Sequence, residues 1–211
     1  MKEQKVKEIL TFLQRTSDLT LTPRYTSSLR KGNNSVADHS WQLAVMVFVI
    51  GVECKVEIDL NRALALALFH DLAESRTGDI DAYRVITGKE SREEKQVKEK
   101  SVMQDITNDL SFGDWIYNFW QEYEDQETIE SKFVKALDKI EGFLYIAEHG
   151  VKAYIPKEFH ADYADKAVLA FDEAAKHFPE VKDLLDMVKT DLKKQFEEVG
   201  VKWVSENEIS A

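Results

Sequence analysis

Apolar residues recur at the spacing of an α-helix along almost the whole chain. Because residues three and four positions apart share one face of a helix, this pattern predicts helices that each bury an apolar stripe. The predicted helices cover residues 1–15, 35–54, 60–75, 90–110, 114–124, 128–149, 157–177 and 180–199. No segment shows the alternation typical of a strand. We therefore expect an all-α fold of seven or eight helices in a single domain over 1–211, with the C-terminal part, 151–211, packed on a core of about 10–150.

Local signals mark several helix ends. Ser35 and Asp38 have the spacing of a capping box, in which two side chains bond to the backbone N–H groups of the first helical turn. Residues 77–79 (TGD) predict a turn after the third helix, and Gly150 predicts the end of the helix over 128–149. The helix over 90–110 begins with a dense run of charged residues (ESREEKQVKEK), so we expect it to present a solvated face.

Composition and charge narrow the classes of protein to which this chain can belong. The 211 residues are 44 % hydrophobic and 32 % charged, which is typical of a globular domain. The net charge of −11 disfavours binding to polymeric nucleic acid or to an anionic membrane, because both partners require a basic face. The longest apolar run, 43–52, is too short to span a bilayer. The single cysteine, Cys54, cannot form an intrachain disulfide, so we expect a reducing, cytoplasmic location.

Some ionisable residues fall on apolar stripes, and the first is His39. Leu43, Met46 and Ile50 follow it on the same face of the predicted helix, so His39 should point inward. A core histidine with ordinary hydrogen-bond partners and a metal ligand are both compatible with this position.

The end of the third predicted helix carries more such groups. His70 and Glu74 share a face with Ala63 and Ala67, and Asp71 lies beside His70. Burying these groups costs several kcal/mol each unless they are paired or bind a metal ion. Alternatively, His70 and Asp71 could form a pair that is hydrogen-bonded only to each other and binds no metal ion.

Asp138 lies beside the apolar stripe of the predicted helix over 128–149. It could sit at the edge of the core and pair with Lys135 or Lys139. It could also complete a metal site of two imidazoles and two carboxylates, formed by His39, His70, Asp71 and Asp138. Such a donor set suits Mn²⁺, Co²⁺, Fe²⁺ or Zn²⁺, and Mg²⁺ less well.

The longer motifs around these residues occur in a recognisable order: SVADHS at 35–40, ALFHDLAE at 67–74, TGDI at 77–80 and KFVKALDK at 132–139. Together they resemble the HD-domain metal-dependent phosphohydrolase superfamily, and within it the bacterial 5′-deoxynucleotidase subfamily with its eukaryotic HD-domain-containing relatives. The resemblance covers about 10–150 and leaves the C-terminal helices without an assigned function.

The resemblance implies a metal-dependent phosphomonoesterase that acts on deoxyribonucleoside 5′-monophosphates, with one divalent metal ion as cofactor. The implied metal ligands are His39, His70, Asp71 and Asp138. Glu74 and Asp79 would then act near the attacking water, in line with the general acid–base roles open to carboxylates. Relatives of this kind are often dimers, so a homodimer is compatible with the resemblance.

The resemblance also implies a phosphate-binding arginine, followed by a tryptophan that crowds the 2′-position of the sugar. Arg24 matches the arginine, and its guanidinium can bind phosphate oxygens bidentately. Tyr25 stands where the family has tryptophan, which leaves the exclusion of ribonucleotides open.

Other functions remain compatible with the same residues. The metal site could serve a hydrolase of another small phosphate, such as a nucleoside polyphosphate or a cyclic nucleotide. A non-catalytic module that binds a metal ion or nucleotide is a further alternative, although it would not need Glu74 and Asp79. A di-iron redox site would need additional histidine ligands, and His149 is the spare one near a ligand-bearing helix.

Overall fold

A computed structural model describes residues 2–25, 34–79, 91–150 and 176–200. Its α-helices are α1 (Glu3–Thr16), α2 (Val36–Glu53), α3 (Leu60–Phe69), α4 (Glu74–Thr77), α5 (Arg92–Thr107), α6 (Gly113–Asp125), α7 (Ile129–His149) and α8 (Lys182–Glu198). Short 3₁₀ helices cover Ser17–Leu21 and Pro179–Val181. The described residues contain no strand beyond one isolated antiparallel bridge, and the predicted all-α class is confirmed. The predicted helix over 157–177 lies almost entirely outside the described residues.

Helices α2, α3 and α7 form the centre of the fold, and α8 packs onto α7. Leu43, Leu66 and Phe133 are fully buried in one apolar cluster, to which Phe196 of α8 also belongs. Burial of each such side chain contributes about 1.5–3 kcal/mol. The second cluster joins α5 and α6 to the start of α2, and its buried members are Leu19, Val36, Leu72, Ala73, Met103, Ile106, Ile116 and Trp120.

The predicted capping box at the start of α2 is confirmed. The Asp38 N–H donates to the Ser35 hydroxyl oxygen over 3.2 Å, and the Ser35 N–H donates to the Asp38 carboxylate over 2.8 Å. These two bonds satisfy backbone N–H groups that the first turn of a helix leaves without intrahelical partners. They fix the point at which α2 begins, and therefore the direction of His39 one residue later, which is 1 % exposed.

The helix predicted over 60–75 is wrong at its C-terminal end, because α3 stops at Phe69. The turn that follows uses tighter, three-residue hydrogen bonds, from Leu72 N–H to the Phe69 carbonyl and from Glu74 N–H to the Asp71 carbonyl. The carbonyl of Ala67, which a continued helix would offer to the backbone of Asp71, accepts a hydrogen bond from the His70 ring over 2.9 Å. Local side-chain bonding of this kind competes with the helix and turns the chain toward α4.

Within the described part of the chain, α2 is the helix that is long and apolar enough to cross a membrane by length and composition alone. Core helices of globular proteins meet the same criteria, and the inner face of α2 packs against α3 and α7. Its outer face exposes a stripe of apolar side chains: Trp41, Val45, Phe48, Val49 and Val52.

Candidate metal centre

Two imidazole rings meet in the interior of the protein. His39 extends from the first turn of α2 and His70 follows α3 directly, and their Nε2 atoms lie 3.3 Å apart. The Nδ1 atom of His70 lies 2.9 Å from the Ala67 carbonyl oxygen, which can only accept, so His70 carries its proton on Nδ1. The Nδ1 atom of His39 lies 2.6 Å from a carboxylate oxygen of Glu141. With a proton on each Nδ1, the two Nε2 lone pairs point toward each other.

Two carboxylates close the same space. The Asp138 Oδ1 atom lies 3.2 Å from His39 Nε2. The Asp71 Oδ2 atom lies 3.0 Å from His70 Nε2 and 3.7 Å from His39 Nε2. Ligand atoms of His39, His70 and Asp138 all lie within 4.8 Å of one another. Four lone-pair atoms that converge in a buried space repel one another unless a proton or a metal ion lies between them, and two imidazoles with two carboxylates fit a borderline divalent metal ion.

The charges and pKa values of these residues also favour a bound cation at the centre. Burial and the Arg24 guanidinium lower the pKa of His39, but hydrogen bonds to Asp138 and Glu141 outweigh them and raise it to about 9. Burial raises the pKa of Asp138, yet Lys135 and His39 hold it well below its ordinary value. The pKa of Asp71 is also lowered, because the effect of His70 exceeds that of burial. His39 therefore binds a second proton, at Nε2, in the absence of a metal ion, and a metal ion would compete with that proton for the Nε2 lone pair.

Tyr123 and Lys135 support Asp138 from outside the centre. The buried Tyr123 hydroxyl donates to Asp138 Oδ2 over 2.6 Å and accepts from the Lys135 ammonium over 2.8 Å. Lys135 also lies 3.4 Å from Asp138 Oδ2, so the pairing considered from the sequence exists alongside the inward position of Asp138. These contacts occupy Oδ2 and leave Oδ1 to face His39. Sequence reasoning missed Tyr123, since its place among the aromatic residues of α6 did not distinguish it from the core.

Glu141 connects the centre to Arg24. It is 3 % exposed and lies one turn after Asp138 on α7, and its Oε2 atom contacts both His39 Nδ1 and Arg24 Nη1, at 2.6 and 3.0 Å. Burial raises the pKa of Glu141, but the hydrogen bond with His39 outweighs it and lowers the pKa below its ordinary value. Sequence reasoning missed this residue. The available signal was a carboxylate four positions after Leu137, on a stripe that is otherwise apolar.

Arg24 and Tyr25 lie together against α7, on the His39 side of the centre. The Arg24 guanidinium lies 4.9 Å from the centre of the Tyr25 ring, which stacks on Tyr145 at 5.1 Å with an interplanar angle of 9°. Tyr25 has a φ of 56°, a left-handed conformation that costs free energy for a side chain of this size. The Tyr25 hydroxyl donates to the Gly142 carbonyl over 3.5 Å. The stack and this bond therefore hold the ring in place against the backbone strain.

Glu74 begins α4 and is 3 % exposed. Burial and the neighbouring Asp71 carboxylate raise the pKa of Glu74 well above its ordinary value, although the Lys95 ammonium lowers it. Lys95 donates to Glu74 Oε1 over 3.2 Å and pairs with Glu99 at 3.3 Å. The prediction that the helix over 90–110 presents a solvated face is therefore wrong for Lys95 and Glu99. Glu99 is 6 % exposed, and Lys95 faces the interior with it.

Asp79 follows the turn predicted from the TGD sequence. Gly78 has a φ of 74°, a conformation that L-residues rarely adopt, so the chain can turn sharply after α4. Asp79 is half-buried, and its charge raises the pKa values of both Arg24 and Glu74. The structure thus places Asp79 within electrostatic range of both residues.

Comparisons with known proteins identify the family of this chain. The chain matches the HD domain family over residues 16–182. A Xenopus laevis protein named 5′-deoxynucleotidase HDDC2 is 35 % identical over 147 residues, which are 68 % of this chain and 70 % of that protein. The human protein of the same name is 35 % identical over 147 residues, which are 68 % and 69 % of the two chains. The crystal structure of a predicted metal-dependent phosphohydrolase from Magnetospirillum magnetotacticum shares the fold, with a TM-score of 0.73 at 18 % identity over 92 % of this chain and 97 % of that chain.

Proposed function

The chain belongs to the HD domain family, and we propose that it is a metal-dependent phosphohydrolase. In this proposal the enzyme removes the 5′-phosphate from nucleoside monophosphates. Deoxyribonucleoside monophosphates are the expected substrate class. The observation that carries the proposal is the pair of Nε2 atoms, from His39 and His70, that lie 3.3 Å apart in a buried space. The names of the similar Xenopus and human proteins support the substrate class.

We propose that one divalent ion binds to His39, His70, Asp71 and Asp138. A divalent ion held by these four residues would lower the pKa of a bound water molecule and polarise a phosphoryl oxygen. Mn²⁺, Co²⁺, Fe²⁺ and Zn²⁺ suit two imidazoles and two carboxylates better than Mg²⁺ does. Hydrogen bonds from outside the centre orient each imidazole, since both Nδ1 atoms have partners.

In the proposed reaction the oxygen of water attacks phosphorus and the bond between phosphorus and the 5′-oxygen breaks, releasing nucleoside and phosphate. Glu74 accepts a proton from the attacking water. Asp79, which lies within electrostatic range of Arg24 and Glu74, donates a proton to the leaving 5′-oxygen. Arg24 is held by Glu141 through Nη1, and its guanidinium has further N–H donors with which to bind the phosphate.

We propose that Tyr25 lies beside the sugar of the bound nucleotide. Its ring is fixed by the stack on Tyr145, so its distance from the 2′-position does not adjust freely. A tyrosine ring fills less space than the tryptophan expected from the family resemblance. We therefore expect weaker exclusion of ribonucleotides than a tryptophan would give.

A phosphate-release assay tests the proposal on ribo- and deoxyribonucleoside monophosphates, each with Mn²⁺, Co²⁺, Fe²⁺, Zn²⁺ or Mg²⁺. We expect release of phosphate only with an added divalent metal. Protein that binds metal but releases no phosphate from any mononucleotide would contradict the proposal. Release of pyrophosphate or triphosphate from nucleoside polyphosphates would instead identify the alternative hydrolase. The cytoplasmic location, the homodimer and the absence of nucleic-acid and membrane partners stay predictions.

A further inference from the structure

Helix α5 turns one lysine toward the centre from a surface that is otherwise rich in charge. Lys95 and Glu99 lie one helical turn apart, with Nζ 3.3 Å from Oε1 of Glu99. The same Nζ lies 3.2 Å from Oε1 of Glu74 on α4. The side chains of Glu74 and Glu99 are only 4 % and 8 % exposed, so this ammonium bridges two buried carboxylates. The sequence alone places Lys95 in the run of charged residues at 90–100, for which it predicts a solvated face.

The charges around Glu74 explain why a cation is needed there. Asp71 and Asp79 flank it from its own segment of the chain, and Glu99 faces it from α5. All three are acidic, and burial adds a cost to any further negative charge. Lys95 is the cation that opposes these effects.

We propose that Lys95 is a positioning residue for the hydrolysis, which holds the Glu74 carboxylate in place by one of its oxygens. The inference rests on the proposed function, because it assigns Glu74 the role of accepting a proton from water. Lys95 bonds to Oε1 of Glu74, so Oε2 is the oxygen that accepts the proton. Glu99 holds the ammonium from the other side, which limits the positions that the flexible lysine side chain can take.

The test compares Lys95→Met and Lys95→Arg with Lys98→Met, an exposed lysine of the same helix. At saturating metal, Lys95→Met should lower kcat at neutral pH by about 10–100-fold, within the range that general-base catalysis contributes. KM for the nucleotide and metal affinity should change little, because Lys95 bonds to Glu74 and not to a proposed metal ligand. Lys95→Arg should retain most of the rate, and Lys98→Met all of it.

A second comparison uses the Glu74→Gln background, in which the carboxylate that Lys95 holds is absent. Lys95→Met should lower kcat little further in that background, because its effect acts through Glu74. A merely structural lysine would lower the melting temperature and reduce the rate by the same factor in both backgrounds. That result, or a Lys95→Met rate equal to that of Lys98→Met, would overturn the inference while leaving the proposed function intact. If wild-type protein with bound metal releases no phosphate, the proposed function itself fails.

Discussion

Glu141 accepts from His39 Nδ1 over 2.6 Å, and this contact sets which nitrogen of His39 faces the centre. Because Nδ1 donates to Glu141, the Nε2 atom presents its lone pair toward Nε2 of His70. Arg24 binds the same oxygen of Glu141 at 3.0 Å, so the residue proposed to bind phosphate and a residue proposed to bind metal share one buried carboxylate.

Replacement of Glu141 by glutamine should weaken metal binding by about 10–100-fold, the usual effect of losing a charged partner outside the ligand shell. The amide can still accept from His39, but it no longer stabilises the positive charge that develops on the ring. Chelator competition measures the affinity. Glu148→Gln, an exposed change on the same helix, should leave the affinity unchanged. Equal affinities for the two variants would argue against a role for Glu141.

Replacement of His70 by alanine should abolish stoichiometric metal binding and lower phosphate release by more than about 100-fold. The reason is that His70 supplies one of the converging nitrogens. Metal content after dialysis and the rate of phosphate release check this. His149→Ala is the matched control, because His149 is exposed and its ring bonds to the Tyr145 carbonyl rather than to the centre. Full metal content in His70→Ala would refute the ligand assignment.

Glu99 should make stability depend on pH. Burial and the neighbouring Glu124 and Asp71 carboxylates outweigh Lys95 and raise the pKa of Glu99 from 4.5 to about 7. The folded state therefore binds this proton more tightly than the unfolded state does. The resulting stabilisation is fully present below pH 4.5 and is lost as the pH rises through 7. Its magnitude is about 1–3 kcal/mol.

Urea unfolding of wild type and Glu99→Gln at several pH values measures this contribution. The glutamine cannot ionise, so its stability relative to wild type should improve as the pH rises from 4.5 to above 7. A constant difference between the two proteins over this range would show that the pKa of Glu99 is not raised in the folded state.

Replacement of Ser35 by alanine should destabilise the protein by about 1 kcal/mol, the typical cost of losing an N-cap side chain. The change removes the hydroxyl that accepts from the Asp38 N–H at the start of α2. Thermal or urea unfolding checks the loss. Ser35→Asp should recover most of it, since aspartate is also a favourable N-cap residue. No loss in Ser35→Ala would mean that other contacts fix the start of α2.

The sequence predicts the helices and the inward-pointing ionisable side chains of the metal centre, because both follow from local patterns. The apolar stripe that includes Leu43 points His39 inward, and burial confirms that direction. The end of α3 was not predictable from periodicity, because the His70 ring bonds to a backbone carbonyl and competes with the helix. Lys95 and Glu141 were missed since their partners lie 21 and 117 residues away in the chain. Contacts of that separation depend on how helices pack, which the local pattern does not encode.

Anomalous diffraction from a crystal grown with Mn²⁺ shows directly where the metal ion binds. We expect one anomalous peak within bonding distance of His39 Nε2, His70 Nε2 and an oxygen of Asp138, with Asp71 supplying the fourth protein ligand. The same crystals of His70→Ala should lose that peak. A contradictory result would be crystals in saturating Mn²⁺ in which the His39–His70 pair is fully formed but no peak lies between the rings. This cluster would then not be the metal centre.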